Sequence, residues 1–534
     1  MTSNLQGMAL NLPAPLAKTA DAALPIRYEN ALTRESLAQA AAGGTARLQD
    51  TLSLELGRLG SVSYLRELGG AEPQVLRGAI AVGPGAGGTV VLPDEGVSAN
   101  VQLGTFDVDA WQQALTRVFN AEAVTPASAS APAVEGAAAT APAVLGYMPT
   151  VLALRARQVA GEGRTLHNVV VGGSRDGPTW RANVTADELD GYVEYRQPQG
   201  AGAGRFHARL ARLNIAAAAA NQVEALLEQQ PGNIPALDVV VEDFELKGRK
   251  LGRLEIDASN RGAATVAREG GVREWRLNRL TLTTPDATFT ASGNWAALSV
   301  QSPPASANPR LVIKAAERRR TAMKFKLEIA DAGQLLTRFG MKDIVRRGRG
   351  TMEGNVAWVG SPLALDYPTL TGGFSVNVES GQFMKADPGL AKLLGVLSLQ
   401  SLPRRLALDF RDVFSDGFAF DFVRGDLTIE QGMAATNNLQ MKGVNAAVLM
   451  EGKADIARET QDLKVVVVPE INAGTASLVA TVINPALGLG TFLAQMFLRE
   501  PLMKAATQEF HVDGTWADPR VTRVGRNGAV PAAR

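Results

Sequence analysis

The chain has 534 residues, with 54 Lys and Arg against 53 Asp and Glu, a net charge of +1. A near-neutral chain gives no electrostatic ground for nucleic acid or another acidic polymer as partner. It has no cysteine, which excludes disulfides and thiolate metal sites, and His167, His207 and His511 are too scattered for a metal motif.

The opening, MTSNLQGMALNLPAPLAKTADAALPIRYEN, lacks a cationic start followed by an apolar run, so it does not read as a signal peptide. It starts as if in mid-architecture, and the expectation is a fragment or a missing targeting segment. TLSLELG then alternates Leu52, Leu54 and Leu56 with polar residues, the pattern of a strand with one apolar and one wet face. GPGAGG matches G-x-G-x-x-G at Gly83, Gly85 and Gly88. A dinucleotide site needs a helix immediately afterwards. TVVLPDEG follows instead and reads as strand, so a hairpin turn is expected. DVDAWQQALTRVF is a helix candidate, and the Ala/Pro-rich stretch from Ala121 to Val144 reads as a linker or loop.

A faint repeat follows. The segments from Gly163 and from Gly248 both read Gly-basic-x-Leu, strand, turn, Trp-Arg, strand, strand, with Trp180 and Trp275 in equivalent places. GRGTMEGNVAWVG looks like a degenerate third copy. A repeated unit that cannot bury its apolar face alone suggests a stacked array. Within it, LGRLEIDAS sets Leu254 and Ile256 against Arg253, Glu255 and Asp257, and LTLTTPDATF begins with Leu280 and Leu282 on one face. Glu242 with Asp243 sits in such a strand, where a solvated face is preferred to an acid–base pair.

Further on, DAGQLLTRFG reads as a helix with Asp331 as N-cap and Gly340 as stop. The runs Arg318-Arg319-Arg320 and RRGRG at Arg346, Arg347 and Arg349 were weighed as phosphate-headgroup sites. Solvated turns are preferred there, because the flanks lack aromatic interleaving. ADPGLAKLLGVLSLQSLPRRL carries Leu390, Leu393, Leu394 and Leu397 at helical spacing behind Asp387-Pro388. RLALDFRD sets Leu406, Leu408 and Phe410 on one face. GFAFDFVRGDLTIEQG alternates Phe418, Phe420 and Phe422, then Leu427 and Ile429 after Gly425.

From Ile471 to Leu498 the chain carries no charge, which is long enough for a membrane span. Asn484-Pro485 breaks its middle, and two short helices are expected instead, about 473–483 and 485–498. Leu487, Leu489, Phe492, Leu493, Met496 and Phe497 give them apolar surface. That surface either caps the end of the sheet or contacts a membrane. The tail after Val524 is low in complexity.

Apolar strand faces most often mean an ordinary sandwich core. Here aromatics are only 5% and helices to cover the sheet are few. Such a meander closes as a barrel, pairs as a sandwich, or curls into a trough filled by something else, for which lipid tails are suitable.

From Asp331 to Val524 an ordered series of stretches resembles the AsmA-like superfamily, in particular the C-terminal region of its YhdP branch. The series runs DAGQLLTRFGMKD, GRGTMEGNVAWVGSPLALDY, KADPGLAKLLGVLSLQSLPRRLALDFRDVFSDGFAFDFVRGD, EGKADIARETQDLKVVVVPEI, NPALGLGTFLAQMFLREPL and HVDGTWADPRV. IPALDVVVEDFELKGRKLG through ASGNW and the opening SNLQGMALNLPAPLAK are similar too. The resemblance implies a periplasmic protein of diderm bacteria, anchored by its N-terminus in the inner membrane and implicated in moving phospholipid toward the outer membrane. It implies a mainly β fold, a long curled antiparallel sheet forming an open trough with an apolar groove, and a few short helices near the C-terminus. The anchor is expected in a part that precedes this chain. Roughly twenty-five stacked strands would reach on the order of 120 Å.

The resulting expectation is a non-enzymatic phospholipid conduit with no catalytic residue, metal or cofactor. A scaffold or outer-membrane assembly factor binding partner proteins is the alternative. Leu254, Ile256, Leu280, Leu282, Leu406, Leu408, Phe410, Phe418, Phe420, Phe422, Leu427 and Ile429 are expected to line the groove. The C-terminal helices are expected to contact the outer membrane. The expected organisation is a first trough part with a helix near its end (1–120), a linker (121–145), repeated β units (146–330), the AsmA-like region (331–524) and a tail (525–534).

Overall fold

The computed structural model describes residues 1–41, 48–69, 72–84, 86, 90–121, 146–161, 163–198, 203–216, 234–261, 274–297, 319–362, 365–384, 418–444, 446–469, 481–499 and 501–524. The expected linker, the helix at 387–400, the strand with Leu406, Leu408 and Phe410, and the tail lie outside them. The described residues form twenty-four strands and few helices, in two compact units.

The first unit covers Met1–Gln199 and Gly204–Val223. Its strands are β1 (Thr2–Ser3), β2 (Ile26–Leu32), β3 (Gln49–Leu56), β4 (Gly60–Glu67), β5 (Gln74–Val82), β6 (Gly96–Asp107), β7 (Val151–Gly161), β8 (Arg164–Asp176), β9 (Thr179–Thr185), β10 (Leu189–Arg196) and β11 (Arg205–Ile215). Helix α1 (Arg34–Ala41) had no counterpart in the sequence reading, whereas α2 (Val108–Ala121) falls where a helix was expected. Asp107 caps α2, its Oδ1 accepting from the Ala110 N–H at 2.9 Å.

Neighbouring strands pair antiparallel, except that β5–β6 and β6–β7 are parallel. Parallel neighbours need a crossover. GPGAGG therefore lies in the β5–β6 crossover and does not close a hairpin, which corrects that expectation. No helix follows among the described residues, as a dinucleotide site would require; residues 90–95 are not strand either, and β6 begins only at Gly96, which corrects the strand expected over TVVLPDEG.

The second unit covers Gly200–Ala203 and Glu224–Arg534. It contains β12 (Ala236–Leu246), β13 (Arg249–Arg261), β14 (Glu274–Thr283), β15 (Ala287–Ala297), β16 (Arg319–Ile329), β17 (Val345–Val359), β18 (Thr371–Phe383), β19 (Phe418–Glu430), β20 (Met433–Gly443), β21 (Ala446–Asp455), β22 (Thr460–Pro469), β23 (Gln508–Thr515) and β24 (Pro519–Arg523). Every successive pair is antiparallel. Among the described residues no pairing joins β24 back to β12, so this sheet is not a closed barrel. Helix α3 (Ala332–Arg338) starts at Asp331, which accepts from the Gln334 N–H at 3.0 Å, and stops before Gly340. Helices α4 (Gly488–Arg499) and α5 (Pro501–Ala506) precede β23.

The internal repeat is structural. β8–β10 and β13–β15 each form a three-strand meander, with Trp180 and Trp275 second in the middle strand. Both close their second turn alike, Ala186 N–H donating to Leu189 O at 2.8 Å and Thr284 N–H to Ala287 O at 2.9 Å.

The sheet of the second unit bends toward its apolar face. Paired residues on one face normally hold their Cβ atoms about 4.5–5.5 Å apart. At Gly354 an added Cβ would meet Phe374 Cβ at 2.5 Å and strike the Gly373 carbonyl; at Gly293 it would strike the Ala322 carbonyl. Paired side chains on that face converge, so the face is concave, and glycine is the residue that permits the approach.

Gly354→Val is expected to lower stability by about 1–3 kcal/mol through overpacking. Thr351→Val, on the exposed opposite face, should stay within about 0.5 kcal/mol. Chemical denaturation of the two variants checks this.

Candidate apolar groove

Strand parity and register place the same kind of side chain on one face from β12 to β19. One lateral row runs Val241, Leu254, Leu282, Phe289, Leu327, Met352 and Val376, each opposite the next. The adjacent row runs Val239, Ile256, Leu280, Ala291, Phe325, Gly354, Phe374 and Leu427. Phe289 stacks on Phe325 at 6.3 Å, and Phe325 meets Phe374 at 6.5 Å. The other face is polar: Arg253 pairs with Glu255 at 2.9 Å and Lys326 with Glu328 at 2.7 Å, both exposed enough to contribute little.

The burial of this lining is the informative property. Ile256, Leu280, Leu282, Phe289, Phe325, Leu327, Met352, Phe374 and Val376 are all half-buried, though none faces a second sheet in the strand pairing. A sandwich core would bury them fully. One margin of the same face carries a ladder of Trp275, Trp295, Thr321 and Trp358, all buried. Trp275 Nε1 donates to Pro235 O at 3.2 Å and Trp358 Nε1 to Ser361 O at 2.9 Å, which fixes their rings.

The first unit repeats the pattern. Leu54, Val62, Ile80, Ala99 and Leu152 form one row, continued by Gly173, Ala182, Val193 and Ala208. Arg66 and Asp50 interrupt this face with a buried bidentate pair at 3.0 and 2.6 Å, and Arg66 Nη1 also donates to Tyr147 Oη at 3.3 Å. The pair and Tyr147 hold the Arg66 guanidinium well above its ordinary pKa, against the pull of burial. Burial, with Tyr147 nearby, pushes the Tyr64 hydroxyl up to about 12.

At the C-terminal end the lining changes. Phe420, Met441, Val448, Val465, Val467, Phe510 and Val512 form a closed cluster, each 1–6% exposed. The opposite face of the same strands is apolar as well: Ala447, Leu449, Val466 and Val468 pack against Ile483, Leu489, Leu493 and Met496. β21 and β22 are thus apolar on both faces, which is why AAVLM and VVVV lack alternation.

Six of the twelve predicted lining residues stand together. Leu254, Ile256, Leu280, Leu282, Leu427 and Ile429 share the concave face, with Leu254 and Ile429 buried and the rest half-buried. Phe420 belongs to the closed cluster. Phe422 does not share its face. The β19–β20 register slips between Phe420 and Phe422, and Ser380, opposite the slip on β18, has a left-handed backbone at φ +54°.

Phe422 instead lines a cavity of about 360 Å³ with Ser375, Asn377, Arg424 and Gln440. The Arg424 guanidinium stacks 4.0 Å from the Phe422 ring, and burial lowers its pKa. Only the backbone of Phe418 is described, paired with Phe383. Leu406, Leu408 and Phe410 lie outside the described residues. The sequence reading missed Phe289, Phe325, Phe374 and the tryptophan ladder; the Trp shared by the two repeats was the available signal.

The C-terminal helices differ from expectation. Asn484 Oδ1 accepts from the Ala486 N–H at 2.9 Å, making a turn at Asn484-Pro485, so the helix begins at Gly488 and not at residue 485. Residues 481–483 are not helical, and 470–480 lie outside the described residues. Gln440 Nε2 donates to Thr481 O at 3.0 Å and Asn437 Nδ2 to Pro485 O at 2.7 Å, tying this lead-in to β20. Leu489, Leu493 and Met496 face the sheet and are at most 5% exposed, with Phe492 and Phe497 packed beside them. Leu487 and Leu498 point outward, 57% and 82% exposed. No helix among the described residues is long and apolar enough to cross a membrane.

Fold and lining together define a curled, unclosed β-meander protein with one apolar face. The chain belongs to the YhdP protein family, whose model matches residues 1–521. It is similar to the intermembrane phospholipid transporter YhdP of Escherichia coli (strain K12), at 28% identity over 280 residues, which is 52% of this chain and 20% of that protein. The matched segment thus covers about a fifth of that relative's length. No solved structure matches the chain.

Two substitutions test the packing. Leu489→Ala should cost about 2–5 kcal/mol locally and expose α4 to amide exchange. Leu498→Ala should change stability by less than about 0.5 kcal/mol.

Proposed function

We propose that the chain is part of a non-enzymatic conduit carrying phospholipid between inner and outer membranes, with the acyl chains lying along the concave apolar face. The observation that supports this most is the half-open lining: two rows of apolar residues, one per strand, which the protein's own atoms cover only partly except at Val241, Leu254 and Ala291. Shielding about ten methylenes is worth about 8 kcal/mol. Because each strand offers a similar side chain at the same height, that gain changes little from one strand to the next. A chain can then slide without a large barrier, and no bond-making step is needed. The relative's role in phospholipid transport agrees with this cargo. The tether to the inner membrane belongs to the proposal through family membership. Contact with the outer membrane is assigned to the outward edge of α4, at Leu487 and Leu498.

A photo-crosslinking residue at Leu280 or Phe325 is expected to capture phospholipid in cells, and one at Thr281 or Lys326, on the outer face, is not. Equal labelling of both faces, or none at the lining positions, would count against the proposal. Phe325→Asp with Phe374→Asp should abolish lipid capture while the circular dichroism spectrum stays unchanged, since both side chains are only half-buried.

A further inference from the structure

The loop after α3 carries a second feature. Phe339 and Met341 are 41% and 44% exposed, although apolar. The loop is held rigidly in that presentation. Arg338 bonds to Asp286 at 2.6 Å and donates to Lys250 O at 2.7 Å, which ties the helix end to the β12–β13 turn. The Arg249 guanidinium sits 5.9 Å from the Phe339 ring. Gly333 of α3 packs against the Val345 and Arg346 backbone, so the start of β17 lies beside the helix.

This margin is cationic. Arg249, Lys250, Lys342, Arg346 and Arg347 are all exposed and form no ion pair among the described residues. The acids here are few. Asp286 is taken by Arg338, and Asp331 caps α3. Asp343 is exposed in the loop, and Glu245 stands opposite Lys250 in the strand register.

We infer that this margin docks on an anionic phospholipid surface, with Phe339 and Met341 entering the headgroup layer and the basic side chains meeting phosphates. Two apolar side chains are too few for a stable protein interface, which needs about 800 Å² from each partner. They suffice for shallow insertion when basic residues supply attraction to the surface. The patch is separate from the groove and from α4, so it does not require acyl chains to occupy the lining.

The test is co-sedimentation of the full chain with vesicles of phosphatidylcholine, with and without phosphatidylglycerol. Anionic lipid is expected to raise partition at least about tenfold, and that gain should fade as salt screens the charges. Lys342→Glu with Arg346→Glu, and Phe339→Ser with Met341→Ser, should each reduce partition about tenfold, while Phe325→Asp in the lining should not. The inference is overturned if both double variants partition like the unaltered chain, if the two vesicle types bind equally, or if only Leu498→Asp on α4 abolishes binding.

Discussion

An amphipathic sheet must keep water from one face, and among the described residues no second sheet covers that face. Everything else in its second unit depends on how the apolar face is brought to turn on itself. Register keeps apolar residues opposite one another from β12 to β19, and at Gly293 and Gly354 the absent Cβ lets neighbouring backbones approach on that side. The result is concave, so side chains partly shield one another while leaving their tips accessible. Half-burial gives the sheet apolar contact among its own side chains while part of that surface stays uncovered.

The two ends of this unit resolve the same problem differently. Along β12–β18 the outer face is polar and laced with exposed ion pairs, which keep it soluble while adding little stability. Along β20–β22 the concave face closes and the outer face turns apolar, so a helix is required there. Side-chain amides of Asn437 and Gln440 take the place of a backbone ladder in holding the segment that leads into it. Within the described part of the uncharged stretch, Ile483, Leu489, Leu493 and Met496 are buried against the sheet.

Family membership and the lining point the same way by independent routes. One compares whole sequences. The other needs only pairing, parity and burial. Along the rows Ala, Val, Leu, Phe and Gly replace one another from strand to strand, and apolarity is the property they share. In the first unit Arg66 is neutralised by Asp50 within the protein, and Arg175, on the same face, lies over the Trp180 ring.

Much of this was legible in the amino-acid sequence, because alternation of period two marks a half-wet strand wherever it occurs. It located β3, β13, β14 and β19; separate local signals marked the helix cap at Asp331 and the three-strand repeat carrying Trp180 and Trp275. It failed where meaning depends on a neighbour. Phe420 and Phe422 have the same parity yet lie on different faces, because a register slip is set by pairing across β18–β20. GPGAGG was misread because nothing local distinguishes a hairpin from a crossover between parallel strands. Leu489, Leu493 and Met496 formed an apolar helical face that would suit a bilayer or a sheet equally. Composition and periodicity determined that one side of this chain avoids water. Only the tertiary structure decided which side chains share that side and what covers each, since both follow from contacts between residues far apart in the chain.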